Sequence, residues 1–287
     1  MSLRPRRSVL YMPAANSRAL AKARTLDCDG VILDLEDAVA PDAKAAARAS
    51  ACDAVKAGGY GHREVAVRVN SVGTSWHDDD LAAVCAAGPD AVVVPKVDSA
   101  QQVRALSARM EELGAPSATR LWAMLETPRA ILDADQICAA SPRLEVVVLG
   151  TNDLLAELRA RPVAGRGPLT FALSAALCAA RAHDKVVLDG VYNDVHDPQG
   201  FEQECLSGRD LGFDGKTLIH PNQVDVANRI WAPTDSEVEQ ARELIDTFDA
   251  ALARHEGVVT FHGKMIENLH VETARRTLAF HEAISSR

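Results

Sequence analysis

Charged side chains recur in this sequence at the carboxyl ends of short apolar runs. GVILDLED ends in Asp34, Glu36 and Asp37, VAVRVN carries Arg68 and Asn70, and AVVVPK ends in Lys96. LWAMLET holds Glu126, KVVLDGV holds Asp189, KTLIHP holds His220, and the GTND that follows LEVVVLG supplies Asp153. Glu126 and Asp153 suggest a specific chemistry. Two carboxylates at one opening repel each other unless a cation sits between them, and oxygen ligands without cysteine or histidine select Mg2+ (or Mn2+) over zinc. Ion pairing of both acids with arginines is the plainer use. Glu36 or Asp37 could orient a water bound to the metal. Arg68 brings a permanent charge and a planar fork that matches a carboxylate or an enolate oxygen, although a lone arginine in such a place can also be structural. Together these residues suit a small 2-oxo or 2-hydroxy acid, chelated by the metal and stabilised by the arginine as charge develops on oxygen.

The elements that must position them are eight runs: 8–13, 30–37, 65–70, 91–96, 121–127, 144–150, 185–191 and 216–221. They are continuously apolar rather than alternating, as expected of parallel strands buried on both faces, and stretches with helical spacing separate them. This predicts an α/β fold, a (β/α)8 TIM barrel. An open doubly wound sheet is the rival, but no GxGxxG follows the first run, and only a closed barrel gathers all the polar ends on one rim. Residues 154–170, rich in Arg, Gly and Pro, read as a mobile loop over that rim or equally as a plain surface loop, and the turn-rich 191–204 could form part of the same mouth.

After the eighth run, Pro233 and a capping Thr234 or Asp235 precede an amphipathic helix marked by Val238, Ala241, Ile245, Phe248 and Leu252. Gly257 should break it, and a last helix should start near Lys264 with Val271, Ala274 and Leu278 on one face. The expected organisation is a catalytic barrel over 1–232 and a helical arm over 233–287, the arm's apolar stripe covered by the barrel or a neighbouring subunit. Glu267 leads the last helix in line with its apolar face. Burial of a carboxylate there is costly unless it is paired or used, which points to a working residue. A dipole-stabilised acid at the helix start is the alternative.

A formal net charge of −9 argues against broad nucleic-acid binding, which relies on basic patches. Arg4, Arg6, Arg7, Arg18, Lys22 and Arg24 nonetheless concentrate positive charge early in the chain, where a phosphorylated small molecule could be held; solvated residues without a ligand are the alternative. No apolar run approaches the ~20 residues of a membrane span. The start MSLRPRR runs into RSVLYMP without a signal-peptide core, so a cytoplasmic location is expected. The six cysteines form no CxxC pair and are expected to be buried thiols.

The stretches RSVLYMPAAN, GVILDLEDAV with the later KAAAR, VAVRVN, VVVPKV, MLET, LGTNDL and GFDGKTLIHPNQV, in this order over about residues 7 to 235, resemble the citrate lyase beta-subunit-like (HpcH/HpaI aldolase) family. That group of barrel lyases includes malyl-CoA and citramalyl-CoA lyases. The resemblance implies Glu126 and Asp153 as Mg2+ ligands, Arg68 as the contact to the oxyacid, and Glu36 and Asp37 as the pair bonded to metal-bound water. It also implies a coenzyme A thioester substrate, with Arg18 and Lys22 touching its phosphates, and supporting roles for Lys96 and His220. Family members present an acid from the arm to an adjacent subunit's site, usually Asp. Here the matching residue is Glu267, which implies a homo-oligomer, a trimer or hexamer. GTNDL together with an arm containing ENLH is similar to the (3S)-malyl-CoA thioesterase branch. The leading expectation is carbon–carbon cleavage of a malyl-CoA or citramalyl-CoA type ester to acetyl-CoA and a 2-oxo acid. Thioester hydrolysis in the same pocket is the nearest alternative, and a partner-dependent subunit acting on a carrier-bound thioester is the third.

Overall fold

In the computed structural model, which describes residues 4–254 and 259–287, all eight apolar runs become parallel strands. They are β1 (Ser8–Pro13), β2 (Gly30–Asp34), β3 (Glu64–Arg68), β4 (Ala91–Val94), β5 (Arg120–Leu125), β6 (Leu144–Leu149), β7 (Val186–Asp189) and β8 (Gly215–Leu218). Each pairs with the next, and β8 returns to β1 through Ser8↔Lys216, Val9↔Thr217 and Leu10↔Leu218, so the barrel closes. Helices lie between successive strands, as the run-and-spacer pattern predicts. The open-sheet alternative is excluded.

The chain divides into two compact units, Arg6–Asn228 and Arg229–Arg287, the second joined by the chain's start around Pro5. In the first, the barrel interior is filled by Val9, Ile32, Ala66, Val93, Trp122, Met124, Val146, Val148 and Leu188, with Tyr11 packed against them. Side chains alternate across a strand with period 2. Two residues on from these core positions, the same inward face reaches Asp34 after Ile32, Arg68 after Ala66, and Glu126 after Met124. The pattern that fills the core with Val and Ile therefore aims three charged groups into the mouth at the strands' carboxyl ends. The expected runs extended past the observed strands, so Glu36, Asp37, Lys96, Glu126 and His220 sit in the loops of that rim.

Several expectations are corrected here. Arg6 and Arg7 do not form a basic mouth: they precede β1 and so lie at the opposite end of the barrel. Arg6 Nε is 2.5 Å from Glu64 Oε2 and its Nη2 is 2.6 Å from Glu145 Oε1, while Arg7 pairs with Asp29 at 2.8 Å. Segment 154–170 is loop only in part, over residues 158–163. Residues Thr151–Glu157 form a helix, Ala164–Leu169 form tight turns, and Arg166 is buried against Asp189 at 2.6 Å. Segment 191–204 is part loop and part helix, with a helix from Pro198, and its Val191 and Asn193 border the mouth as expected. Five cysteines are buried as expected, whereas Cys178 is exposed. Among the described residues, no helix is long and apolar enough to cross a membrane.

In the second unit, helix Asp235–Ala253 is capped as the sequence suggests: Thr234 Oγ1 accepts from the Glu237 amide, and Glu237 Oε2 accepts from the Thr234 amide. Phe248 and Ala251 pack with Val259, Ile266 and Val271, with Leu244, Ile245 and Phe261 at the edge. The arm thus supplies a cover for its own apolar stripe, a source the sequence reading did not include. Leu252 is 54% exposed, and Ala251 takes its expected place. KMI is strand rather than helix: β9 (Val259–Phe261) and β10 (Lys264–Ile266) form an antiparallel hairpin, and the last helix begins at Asn268. The expected break at Gly257 lies outside the described residues. Glu267 is the N-cap residue of the last helix, exposed rather than buried within the chain, and its amide donates to His270 Nδ1 at 3.0 Å.

Candidate active site

A cavity of about 310 Å3 opens at the carboxyl ends of the barrel strands, with Tyr11, Asp34, Asp37, Arg68, Glu126 and Asp153 among its walls. Arg68 and Asp34 are register partners across β3 and β2. That adjacency lets the guanidinium grip the carboxylate with both Nε and Nη2, each at 2.7 Å. The remaining nitrogen, Nη1, lies 3.1 Å from Glu36 Oε2 and 3.4 Å from Asp37 Oδ2. The Arg68 guanidinium also stands over the Tyr11 ring at 4.8 Å, a cation–π contact. Burial opposes the guanidinium charge, but the bonds to Asp34 outweigh it and lock Arg68 in the charged form.

The sequence reading sets the whole Arg68 fork against substrate. In the structure two of its nitrogens are committed to Asp34, and Nη1 is the one left beside the acids at the mouth. Asp34 is therefore the site residue whose role was missed. Its signal was present, since β2 and β3 are adjacent parallel strands that end one in an acid and the other in an arginine. Glu36 is held by Ser71, whose hydroxyl donates to Oε1 at 2.7 Å. Burial raises the Glu36 carboxyl above its ordinary range against the pull of Arg68 and Ser71.

Across the mouth, Glu126 follows β5 and Asp153 sits in the first turn of the helix after β6. Glu126 is 2% exposed. Burial, and then the charges of Asp153 and Glu36, push its carboxyl from 4.5 up to about 8. Glu126 lies close over Gly150: a Cβ on that residue would come within 2.1 Å of Glu126 Oε2 and 2.3 Å of Glu126 Cβ. Gly150 thus leaves the space that the carboxylate fills. The Lys96 amide donates to Glu126 Oε1 at 2.8 Å, and the Lys96 ammonium pairs with Asp153 Oδ1 at 3.0 Å. Lys96, expected to be supportive, contacts both acids.

This donor set fits a hard divalent cation. Two carboxylates converge on one cavity, and the buried one is driven toward its neutral form first by burial and then by the other's charge, a mismatch that a cation between them relieves. Among the described residues no three His, Cys, Asp or Glu side chains gather as a ready-made metal cage. Two protein ligands leave positions for water and substrate oxygens, the manner in which Mg2+ is usually held.

Other expected residues are placed differently. Arg18 and Lys22 are exposed, four residues apart on the helix Ser17–Ala23 that follows β1, and neither lines the cavity. His220 is a cap: its Nδ1 accepts from the Asn222 amide at 3.2 Å. Asp189 is fully buried between Arg166 and Lys216, 3.0 Å from the Lys216 ammonium, and serves the barrel rather than the cavity.

A model of the HpcH/HpaI aldolase/citrate lyase family matches residues 7–221. A (3S)-malyl-CoA thioesterase of Cereibacter sphaeroides is 46% identical over 282 residues, 98% of this chain and 96% of that protein. A citrate lyase subunit beta of Escherichia coli is 37% identical over 281 residues, 96% of this chain and 93% of that protein. Among solved structures, the protein CitE of Mycobacterium tuberculosis in complex with magnesium, acetoacetate and coenzyme A superposes with a TM-score of 0.80 at 29% identity, over 98% of this chain and all of that one. A citrate lyase beta subunit of the same organism, complexed with oxaloacetate and magnesium, gives a TM-score of 0.69 at 32% identity over 81% of this chain and 100% of that one.

Proposed function

The chain belongs to the HpcH/HpaI aldolase/citrate lyase family, and from that premise we propose that it is a Mg2+-dependent enzyme of coenzyme A esters that hydrolyses a malyl-CoA type thioester to the hydroxy acid and coenzyme A. The observation that carries this reading is the 46% identity to (3S)-malyl-CoA thioesterase, which runs through barrel and arm alike over 98% of the chain. It reverses the order expected from the sequence, where carbon–carbon cleavage led.

Glu126 and Asp153 would hold the Mg2+, which when bound supplies positive charge to polarise the oxygens of the acid. The chain's own groups do the rest. Arg68 Nη1, held in place by the two bonds that Nε and Nη2 donate to Asp34, binds an oxygen of the acid half and fixes its orientation. Glu36, anchored by Ser71 and raised above its ordinary range, would accept the proton of the attacking water. The new C–O bond forms as the C–S bond breaks, and the proton taken from water ends on the departing thiolate. Arg18 and Lys22 form a pair of exposed cations suited to the phosphates of the coenzyme. Glu267, on the exposed start of the arm's last helix, is the acid proposed to serve the site of an adjacent copy in a homo-oligomer.

A second reading, cleavage of the carbon–carbon bond to acetyl-CoA and a 2-oxo acid, is favoured by the 37% identity to citrate lyase subunit beta. One assay separates them. The full chain is incubated with malyl-CoA and Mg2+ while free thiol and glyoxylate are measured in parallel. Thiol without glyoxylate is the expected result. Glyoxylate with acetyl-CoA would replace hydrolysis by cleavage. Neither product from the isolated chain would point to a thioester borne by a partner protein.

A further inference from the structure

Lys96 stands beside the mouth with a charge that the proposed chemistry leaves unused, and its geometry is unusual. It touches both candidate metal ligands: its amide donates to Glu126 Oε1 at 2.8 Å and its ammonium lies 3.0 Å from Asp153 Oδ1. Its backbone φ is 51°, a left-handed conformation that few side-chain-bearing residues hold without compensation. The side chain is 45% exposed, so no packing requirement keeps the ammonium there, and electrostatics must.

The acids around it explain why. Glu126 and Asp153 share one cavity, and Glu36 adds a third carboxylate whose charge reaches Glu126. The nearest guanidinium, Arg68, is engaged by Asp34, Glu36 and Asp37. Lys96 is the cation that pairs with Asp153.

We propose that Lys96 is a tethered counter-cation of the metal site: its ammonium compensates the Glu126–Asp153 pair when no divalent ion is bound, and it competes with that ion for Asp153. The inference rests on the assignment of Glu126 and Asp153 as Mg2+ ligands. Lys96 is on this view a positioning residue that sets the affinity for the ion. A single positive charge paired with a carboxylate ligand in a well-solvated mouth would oppose divalent-ion binding there by roughly tenfold. The backbone contact to Glu126 survives any side-chain change, so the two effects of residue 96 can be separated by substitution.

The test is titration calorimetry of Mg2+ into chelator-stripped full-length protein, on the native chain, Lys96→Met and Lys96→Arg, with melting temperatures recorded with and without Mg2+. Lys96→Met keeps the length of the side chain and removes its charge. It is expected to bind Mg2+ roughly tenfold more tightly, to melt lower than the native protein in chelator, and to recover that loss when Mg2+ is added. Lys96→Arg, which keeps the charge, is expected to stay within about twofold of the native affinity. Unchanged or weaker Mg2+ binding by Lys96→Met, or an unchanged metal-free melting temperature, would overturn the role of Lys96. Absence of Mg2+ binding by the native chain would instead remove the metal-site assignment itself, a different result from either.

Discussion

Replacing Glu126 by Gln should make the metal-free protein more stable at alkaline pH. Glu126 is 2% exposed and its carboxyl is raised from 4.5 to about 8, first by burial and then by the charges of Asp153 and Glu36. The folded state therefore keeps this proton over a range in which the unfolded chain has already released it. Where the folded state binds more protons, stability falls as pH rises. The penalty is absent below about pH 4.5, accumulates through the window up to about 8, and is constant above it. At about 1.4 kcal/mol per pH unit the full window corresponds to ~5 kcal/mol, and relaxation with water entry into the mouth reduces this to about 2–3 kcal/mol. The glutamine side chain cannot ionise, retains an oxygen to accept from the Lys96 amide, and offers Asp153 a donor in place of a charge. The assay is urea denaturation in chelator between pH 4.5 and 8.5. The two proteins should have closely similar midpoints at the acid end, and the variant should exceed the native protein by about 2–3 kcal/mol at the alkaline end. Saturating Mg2+ at pH 8.5 should then stabilise the native protein, by about 2.7 kcal/mol at a hundredfold excess over the dissociation constant, and leave the variant nearly unmoved. Parallel curves with pH, or a variant less stable at pH 8.5, would refute the claim that Glu126 is a strained acid awaiting a cation.

The remaining predictions concern the groups that shape the same mouth. Arg68→Met should lower turnover by about two to three orders of magnitude and, because it strands the buried Asp34, cost about 3–5 kcal/mol in urea denaturation. The double variant Arg68→Met/Asp34→Asn should recover much of that stability but none of the activity, and equal stability of the single and double variants would refute the pairing. Gly150→Ala should displace the Glu126 carboxylate and lower turnover about a hundredfold, with circular dichroism unchanged. Native-like rates in that variant would show that Glu126 does not work from its observed position.

Much of this protein is legible without coordinates because barrel strands and helix caps are local patterns. Eight β-branched runs separated by helical spacers specify parallel strands, since a strand buried on both faces must be apolar throughout, and the charged ends those runs share favour a closed barrel over an open sheet. Pro233 followed by the capping Thr234 announces a helix start from residue types alone. A polar residue at the carboxyl end of such a strand has no apolar role to play, which is why Arg68, Glu126 and Asp153 could be singled out. Which charges meet is another matter, because it depends on strand register and on contacts between residues far apart in the chain. The β2–β3 register joins Arg68 to Asp34, and the fork expected to face substrate is largely spent on the protein itself. Asp189, also a strand-end acid, is drawn into a buried network with Arg166 and Lys216. Arg6 and Arg7, close to the mouth in sequence, lie at the other end of the barrel because a strand of six residues separates the two rims. In the arm, a hairpin too short to show a periodic signal covers the helix stripe and turns Glu267 into a cap. Side-chain chemistry and periodicity are properties of a segment, and they determined the elements and the candidate groups. Charge pairing and burial are properties of the assembled fold, and only the tertiary structure decided them.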